Sequence, residues 1–151
     1  MVELTINGTS HRVDCPGDEP LVYVLRNRLG LPGTRLACGL EQCGACLVLV
    51  DGECRYACTL PVADCAGRAV TTVEGLGNEH ALHAVQQALL RHNAAQCGFC
   101  LSGIVVRAAA LFRDEPRPSP ADIRAALAPH ICRCGAQPRV LRALDALAAG
   151  V

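Results

Sequence analysis

Cys38-Gly39-Leu40-Glu41-Gln42-Cys43-Gly44-Ala45-Cys46 places three cysteines and two glycines within nine residues. From Gly30 to Cys46 no helical or strand periodicity survives, so the segment reads as a loop of roughly fifteen residues, longer than an idle connection needs. With Cys58 the pattern is C-x4-C-x2-C, eleven further residues, then C. That spacing suits plant-type two-iron clusters. Three thiolates on one tight loop can wrap a compact Fe2S2 core, and a fourth from a strand behind can close the far iron. Gly39 and Gly44 admit unusual dihedrals and let backbone N–H groups approach the sulfurs. Structural zinc is the alternative for four thiolates, although zinc sites normally use two short C-x2-C knuckles. Cys54, at the end of the Asp51-Gly52 turn, could replace Cys58 as fourth ligand; Cys58 is preferred because it is expected on the returning strand.

Around this loop the first half reads as β-rich. Val2, Leu4 and Ile6 alternate with Glu3 and Thr5, Asn7-Gly8 is a two-residue hairpin turn, and Ser10 to Val13 returns as the partner. Leu21, Val24, Leu25 and Leu29 have helical spacing, which predicts a helix over Pro20 to Leu29 with Asp18 as cap and Gly30 as stop. Leu47 to Val50 and Arg55 to Leu60 predict a second hairpin about Asp51-Gly52, and Ala69 to Val73 a last strand.

The second half changes character. Helical stripes run through Glu79 to His92, Gly103 to Arg113 and Val140 to Ala148, and Ser119 can cap a helix from Pro120 to Leu127. The fold expected is α+β, with residues 1–76 forming a β-rich domain and residues 77–151 an alanine-rich helical one. The helical half carries a second set of four cysteines: Cys97-Gly98-Phe99-Cys100 and, after thirty-one intervening residues, Cys132-Arg133-Cys134. A C-x2-C pair opening one helix and a C-x-C pair in a loop before another can meet when the helices are antiparallel. Helix N-termini also favour thiolate charge. Cys15, Cys54 and Cys65 are left over and read as small buried hydrophobes or inert thiols.

Composition agrees. Eleven cysteines accompany four aromatic residues and no tryptophan, so something other than aromatic packing must help to hold the chain together. Each half is near the size at which a core needs a staple. An odd cysteine count and an N-terminus without a basic and then apolar region argue against a disulfide framework and for a reduced, cytoplasmic setting. Fourteen basic residues balance fourteen acidic ones, which leaves no electrostatic footprint for nucleic acid. No stretch is long and apolar enough to suggest a membrane span.

Three motifs, Cys38 to Cys46, Gln96-Cys97-Gly98-Phe99-Cys100-Leu101-Ser102-Gly103 and Ile131-Cys132-Arg133-Cys134-Gly135, resemble the iron-sulfur subunit of the xanthine oxidase family of molybdenum hydroxylases. Gly135 after the last of these cysteines is most similar to the isoquinoline and nicotinate dehydrogenase branch. The resemblance spans nearly the whole chain. It implies an N-terminal β-grasp, plant-type ferredoxin domain and a C-terminal four-helix bundle, each with one [2Fe-2S] cluster, held by Cys38, Cys43, Cys46 and Cys58 and by Cys97, Cys100, Cys132 and Cys134. The second cluster would lie nearer the molybdenum, and Gln96 would touch the pterin of a molybdopterin cofactor, in its cytosine dinucleotide form, carried by a separate large subunit. A helix cap is the plainer role for Gln96. The resemblance further implies single-electron relay to a flavin subunit or a cytochrome, and a partner acting on an N-heterocycle or an aldehyde. Ala37 and Glu41 stand where the family often has glycine.

No catalytic acid or base is evident. His80, His83 and His92 fit a solvent face, and His130 reads as a loop residue rather than a ligand. A free-standing ferredoxin would explain the first cysteine set and leave the second half without purpose.

Overall fold

The computed structural model describes residues 1–151. Five strands, β1 (Val2–Ile6), β2 (Thr9–Val13), β3 (Leu47–Val50), β4 (Glu53–Tyr56) and β5 (Ala69–Thr71), form one sheet in the order β2-β1-β5-β3-β4. β1 and β5 run parallel and the other neighbours antiparallel. Both expected hairpin turns form, with φ of 51° and 81° at Asn7 and Gly8 and 50° and 85° at Asp51 and Gly52. These positive values give the twist that a two-residue hairpin requires.

Leu4, Ile6, Val48, Val50 and Val70 meet Leu21, Val22, Val24 and Leu25 in the first core, so one short helix lies in the grasp of the sheet. That helix, α1 (Leu21–Tyr23), widens at once into a π-turn over Val24–Arg28. Asp18 does not cap it. The cap position is Pro20, and the first amides are satisfied by the chain that follows β4: Leu21 N–H donates to Leu60 O (2.8 Å) and Val22 N–H to Ala57 O (2.9 Å). Gly30, at φ 67°, ends the element as expected. β4 is displaced from the expected Arg55 to Leu60, so Cys58 follows the strand instead of lying on it. Cys54 occupies the strand opposite Leu49.

The β3 run Leu47-Val48-Leu49-Val50 is buried on both faces. Val48 and Val50 enter the first core, whereas Leu47 and Leu49 pack on Val106 and Ala110 of the helical half. A continuous apolar strand is what two covered faces demand.

The helices are α2 (Ala84–Arg91), α3 (Leu101–Asp114), α4 (Pro120–Leu127) and α5 (Gln137–Ala149). α2 packs on α5 and α3, and α4 joins α3 to α5. Their core combines Val85, Leu89, Ile104, Ile123, Leu127, Val140 and Leu144 with buried alanines that allow close helix approach. α2 starts later than its apolar stripe because His83 caps it. Its Nδ1 accepts the Val85 N–H at 3.2 Å, while Gln86 Oε1 accepts the His83 N–H at 2.8 Å. His83 is therefore a cap, not a solvent-face residue. Ser119 caps α4 as expected, reciprocated by Asp122. α3 and α5 start earlier than expected, directly behind the two cysteine pairs. No helix is long and apolar enough to cross a membrane.

The two halves touch at bare backbone. A Cβ added to Gly103, in the first turn of α3, would lie 1.8 Å from the Gly44 carbonyl oxygen. Gly103→Ala is therefore expected to cost about 1–3 kcal/mol through overpacking, seen as a lowered melting temperature. Arg91→Ala, at an exposed helix end, should stay within about 0.5 kcal/mol of wild type.

Candidate functional site

The Cys38–Cys46 loop is wound by left-handed residues: φ is 68° at Gly39, 59° at Glu41 and 75° at Gly44. Glu41 holds this conformation without being glycine, at a cost of about 1–2 kcal/mol. Its carboxylate accepts a hydrogen bond from the Thr59 hydroxyl, which ties the loop to the segment carrying Cys58. The winding turns amides inward. Leu40 N–H and Gln42 N–H both donate to Cys38 Sγ, at 3.4 and 3.3 Å. Burial alone would raise the Cys38 thiol, but these amides and the adjoining Cys43 outweigh it and bring it down to about 7. Cys46, deeper in the fold beside Cys58, is pushed up to about 12 by burial.

The helical half repeats the arrangement. Cys97 is exposed; the Phe99 N–H, and then the neighbouring Cys134, lower its pKa. That same contact with Cys97 raises Cys134. Cys100, in the cap position of α3, is pushed up to about 12 by burial and sits beside Cys132. At Cys132 burial again opposes, and the amides of Ala136, Cys134 and Gly135 with Cys100 prevail to lower the thiol. The eight sulfurs thus meet in twos, Cys38 with Cys43, Cys46 with Cys58, Cys97 with Cys134 and Cys100 with Cys132. No set of three or more sulfur, imidazole or carboxylate donors closes around one point. Two pairs per site match a binuclear core, in which each metal takes two thiolates, better than one tetrahedral ion. Inward amides fit sulfur that carries negative charge. The donors therefore suit a [2Fe-2S] cluster in each half.

Cys54 faces the other way, towards Leu47, Leu49, Val106 and Ala110, and does not join the first set. Cys65 is buried in the first core and Cys15 packs against its edge. Gln96 is exposed on the turn before Cys97 and does not cap α3, whose cap position is Cys100.

The sites are adjacent. Ile131 N–H, one residue before Cys132, donates to the carbonyl of Cys43 at 3.1 Å. Arg35, whose N–H donates to Ala45 O, lays its guanidinium 5.8 Å from the centroid of the Phe99 ring between Cys97 and Cys100. A cleft of about 270 Å³ opens between the loops, lined by Ala37, Cys43, Ala45, Phe99, Ile131 and Cys132. None of these cross-contacts has a sequence signal, because each joins residues far apart in the chain. His130 is a loop residue as expected, but a buried one, 3% exposed. Burial, and secondarily Arg107, bring its imidazole down to about 4.

Residues 4–66 match the 2Fe-2S iron-sulfur cluster binding domain, and residues 72–145 match the [2Fe-2S] binding domain. One of the subunits of nicotinate dehydrogenase from Pseudomonas putida is 45% identical over 143 residues, spanning 95% of this chain and 91% of that protein. The alpha chain of isoquinoline 1-oxidoreductase from Brevundimonas diminuta is 43% identical over 141 residues, 93% of this chain and 92% of that protein. Among solved structures, quinoline 2-oxidoreductase from Pseudomonas putida superposes with a TM-score of 0.92 at 32% identity, covering 99% of this chain and 93% of that one. The aldehyde oxidoreductase from Desulfovibrio desulfuricans also gives 0.92, at 39% identity, with this chain matching 98% of its own length but 17% of that larger chain. Two [2Fe-2S]-binding domains in this order, with full-length relatives of this identity, show that the chain belongs to the iron-sulfur subunits of the xanthine oxidase family of molybdenum hydroxylases and is part of an oxidoreductase.

Proposed function

We propose that this chain carries electrons singly from the molybdenum cofactor of a large subunit, through two [2Fe-2S] clusters, to an external acceptor, and performs no substrate chemistry itself. The observation that carries the reading is the hydrogen bond from Ile131 N–H to the Cys43 carbonyl, which joins the two cysteine loops through a few covalent bonds and one short polar contact. When bound, each cluster takes up and returns one electron, so two in series divide a two-electron oxidation into single steps.

In this reading Cys38, Cys43, Cys46 and Cys58 hold one cluster within residues 1–76, and Cys97, Cys100, Cys132 and Cys134 hold the other within residues 77–151. Leu40, Gln42 and Ala136 amides stabilise the sulfur charge, and Glu41 keeps the first loop closed on Thr59. Burial raises the thiols of Cys46 and Cys100 to about 12, so loading the clusters releases protons and couples to folding. Exposed Gln96 beside Cys97 reaches the pterin of the partner's cofactor, which takes the cytosine dinucleotide form. The names of the relatives, which include nicotinate, isoquinoline, quinoline and aldehyde enzymes, support an N-heterocycle or an aldehyde as the partner's substrate. A flavin subunit or a cytochrome receives the electrons. Clustered cysteines that serve as metal ligands suit a reducing cytoplasm. A free-standing ferredoxin is the rival, and co-purification with a large molybdopterin-binding subunit separates the two.

The isolated chain is expected to bind about four irons and four acid-labile sulfides; one cluster, or stoichiometric zinc, would sink the reading. Chelation should abolish cooperative melting, and a colourless sample that kept its full transition would contradict it. Cys58→Ser should remove or distort the electron paramagnetic resonance signal of the N-terminal cluster, whereas Cys54→Ser should leave both signals intact. In the complex, Gln96→Ala should preserve both spectra yet slow reduction by substrate at least tenfold. Unchanged reduction would refute the pterin contact.

A further inference from the structure

His130 is the only histidine, arginine or carboxylate side chain buried in the chain, at 3% exposed. Neither ring nitrogen has a hydrogen-bond partner within the protein. A buried polar atom left unpaired costs about 1–3 kcal/mol, so an imidazole in this place needs a partner in the working molecule. An apolar side chain would fill the same space at lower cost.

The position of the ring narrows what that partner is. The His130 N–H is fixed on Leu127 O at the end of α4 (2.9 Å), and the next residue holds the Cys43 carbonyl. The ring lies on Gly44: a Cβ there would fall 2.4 Å from His130 Nδ1 and 2.7 Å from Cε1. Gly44 sits between Cys43 and Cys46, so the imidazole rests on the loop that carries three of the four thiols of the first site. The charged neighbour is Arg107 of α3, whose Nε is likewise unpaired. A guanidinium has donors and no acceptor, so Arg107 can serve only the acceptor nitrogen of a neutral imidazole. The remaining N–H requires an acceptor. The Cys43 carbonyl accepts the Ile131 N–H, the Gly44 carbonyl accepts the Leu47 N–H and is pressed against Gly103, and neither is a partner of the ring. No cysteine sulfur reaches the ring either, so the acceptor left beside this loop is sulfur that a bound cluster would bring.

We propose that the imidazole N–H of His130 donates into the sulfur shell of the cluster held by Cys38, Cys43, Cys46 and Cys58, and thereby raises that cluster's reduction potential. The inference rests on the ligand assignment proposed above. A hydrogen bond to sulfur favours the more negative, reduced state. His130 acts here as a positioning residue that sets which of the two clusters holds the electron.

The test uses the assembled complex. His130→Leu removes the donor and His130→Gln keeps an N–H at similar size. Redox titration followed by electron paramagnetic resonance reads each cluster separately, and loss or distortion of the N-terminal signal in Cys58→Ser checks the ligand assignment independently. His130→Leu should shift the electron partition at least tenfold away from the N-terminal cluster, equivalent to about 59 mV for one electron. The second cluster should keep its potential, and His130→Gln should recover most of the shift. A second measurement does not depend on the variants loading. With ¹⁵N-histidine in wild type, pulsed resonance on the reduced N-terminal cluster should show a nitrogen coupling. Both clusters present with no such coupling, an unchanged potential in a fully loaded His130→Leu, or a shift confined to the second cluster would each overturn the proposal.

Discussion

The contact on which the rest depends is backbone against backbone, where the first turn of α3 rests on the carbonyl of Gly44. Side chains on both sides of it are absent, and they have to be, since a single methyl group on Gly103 would lie 1.8 Å from that oxygen. From this point α3 runs across β3 and β4, covering Leu47 and Leu49 with Val106 and Ala110. The residue that ends the Cys97–Cys100 turn is also the cap of the same helix. Bringing α3 down onto the first loop therefore brings the second cysteine set with it, and the Ile131–Cys43 hydrogen bond and the Arg35–Phe99 stack fasten the opposite side.

Both sites share an electrostatic plan. Each combines an outer thiol whose charge is eased by inward amides, Cys38 or Cys97, with an inner thiol that burial keeps protonated, Cys46 or Cys100. Four thiolates crowded together without metal would repel one another, and this division avoids that cost in the metal-free chain. It also gives each site a side turned to solvent and a side turned to the core, and at the first site the solvent side is held closed by Glu41 reaching Thr59.

Much of this was legible in the residues themselves. Ligand-like spacing, hairpin dipeptides and the Ser119 cap are local signals; both hairpin turns and that cap lie where they were expected. Asp18 misled because the amides it would have capped are taken by Ala57 and Leu60, a tertiary partner that no local pattern announces. β4 ended early because the chain must turn at Ala57 to put Cys58 beside Cys46 rather than follow the apolar alternation. The early start of α5 was hidden because its first turn, Gln137-Pro138-Arg139, carries no apolar stripe, whereas Leu101 at the start of α3 packs with Ile104 and Val105 and extends a stripe that was open to reading. His83 looked like one of three exposed histidines, yet the Gln86 three residues later was a capping signal open to reading. His130, Arg107 and Gly103 were beyond reach, since their roles exist only where two distant segments meet.

The double burial of β3 bears on where the polypeptide can be divided. Two sequence domains and two cofactor sets invite cutting the chain near residue 76 to study each piece. Such a cut would strip α3 from the sheet and leave Leu47 and Leu49, now 1% and 7% exposed, as a greasy stripe open to water. Distinct as the halves are in secondary structure and in the domain models they match, they are one object in solubility: the N-terminal piece would behave as a sheet in search of a lid.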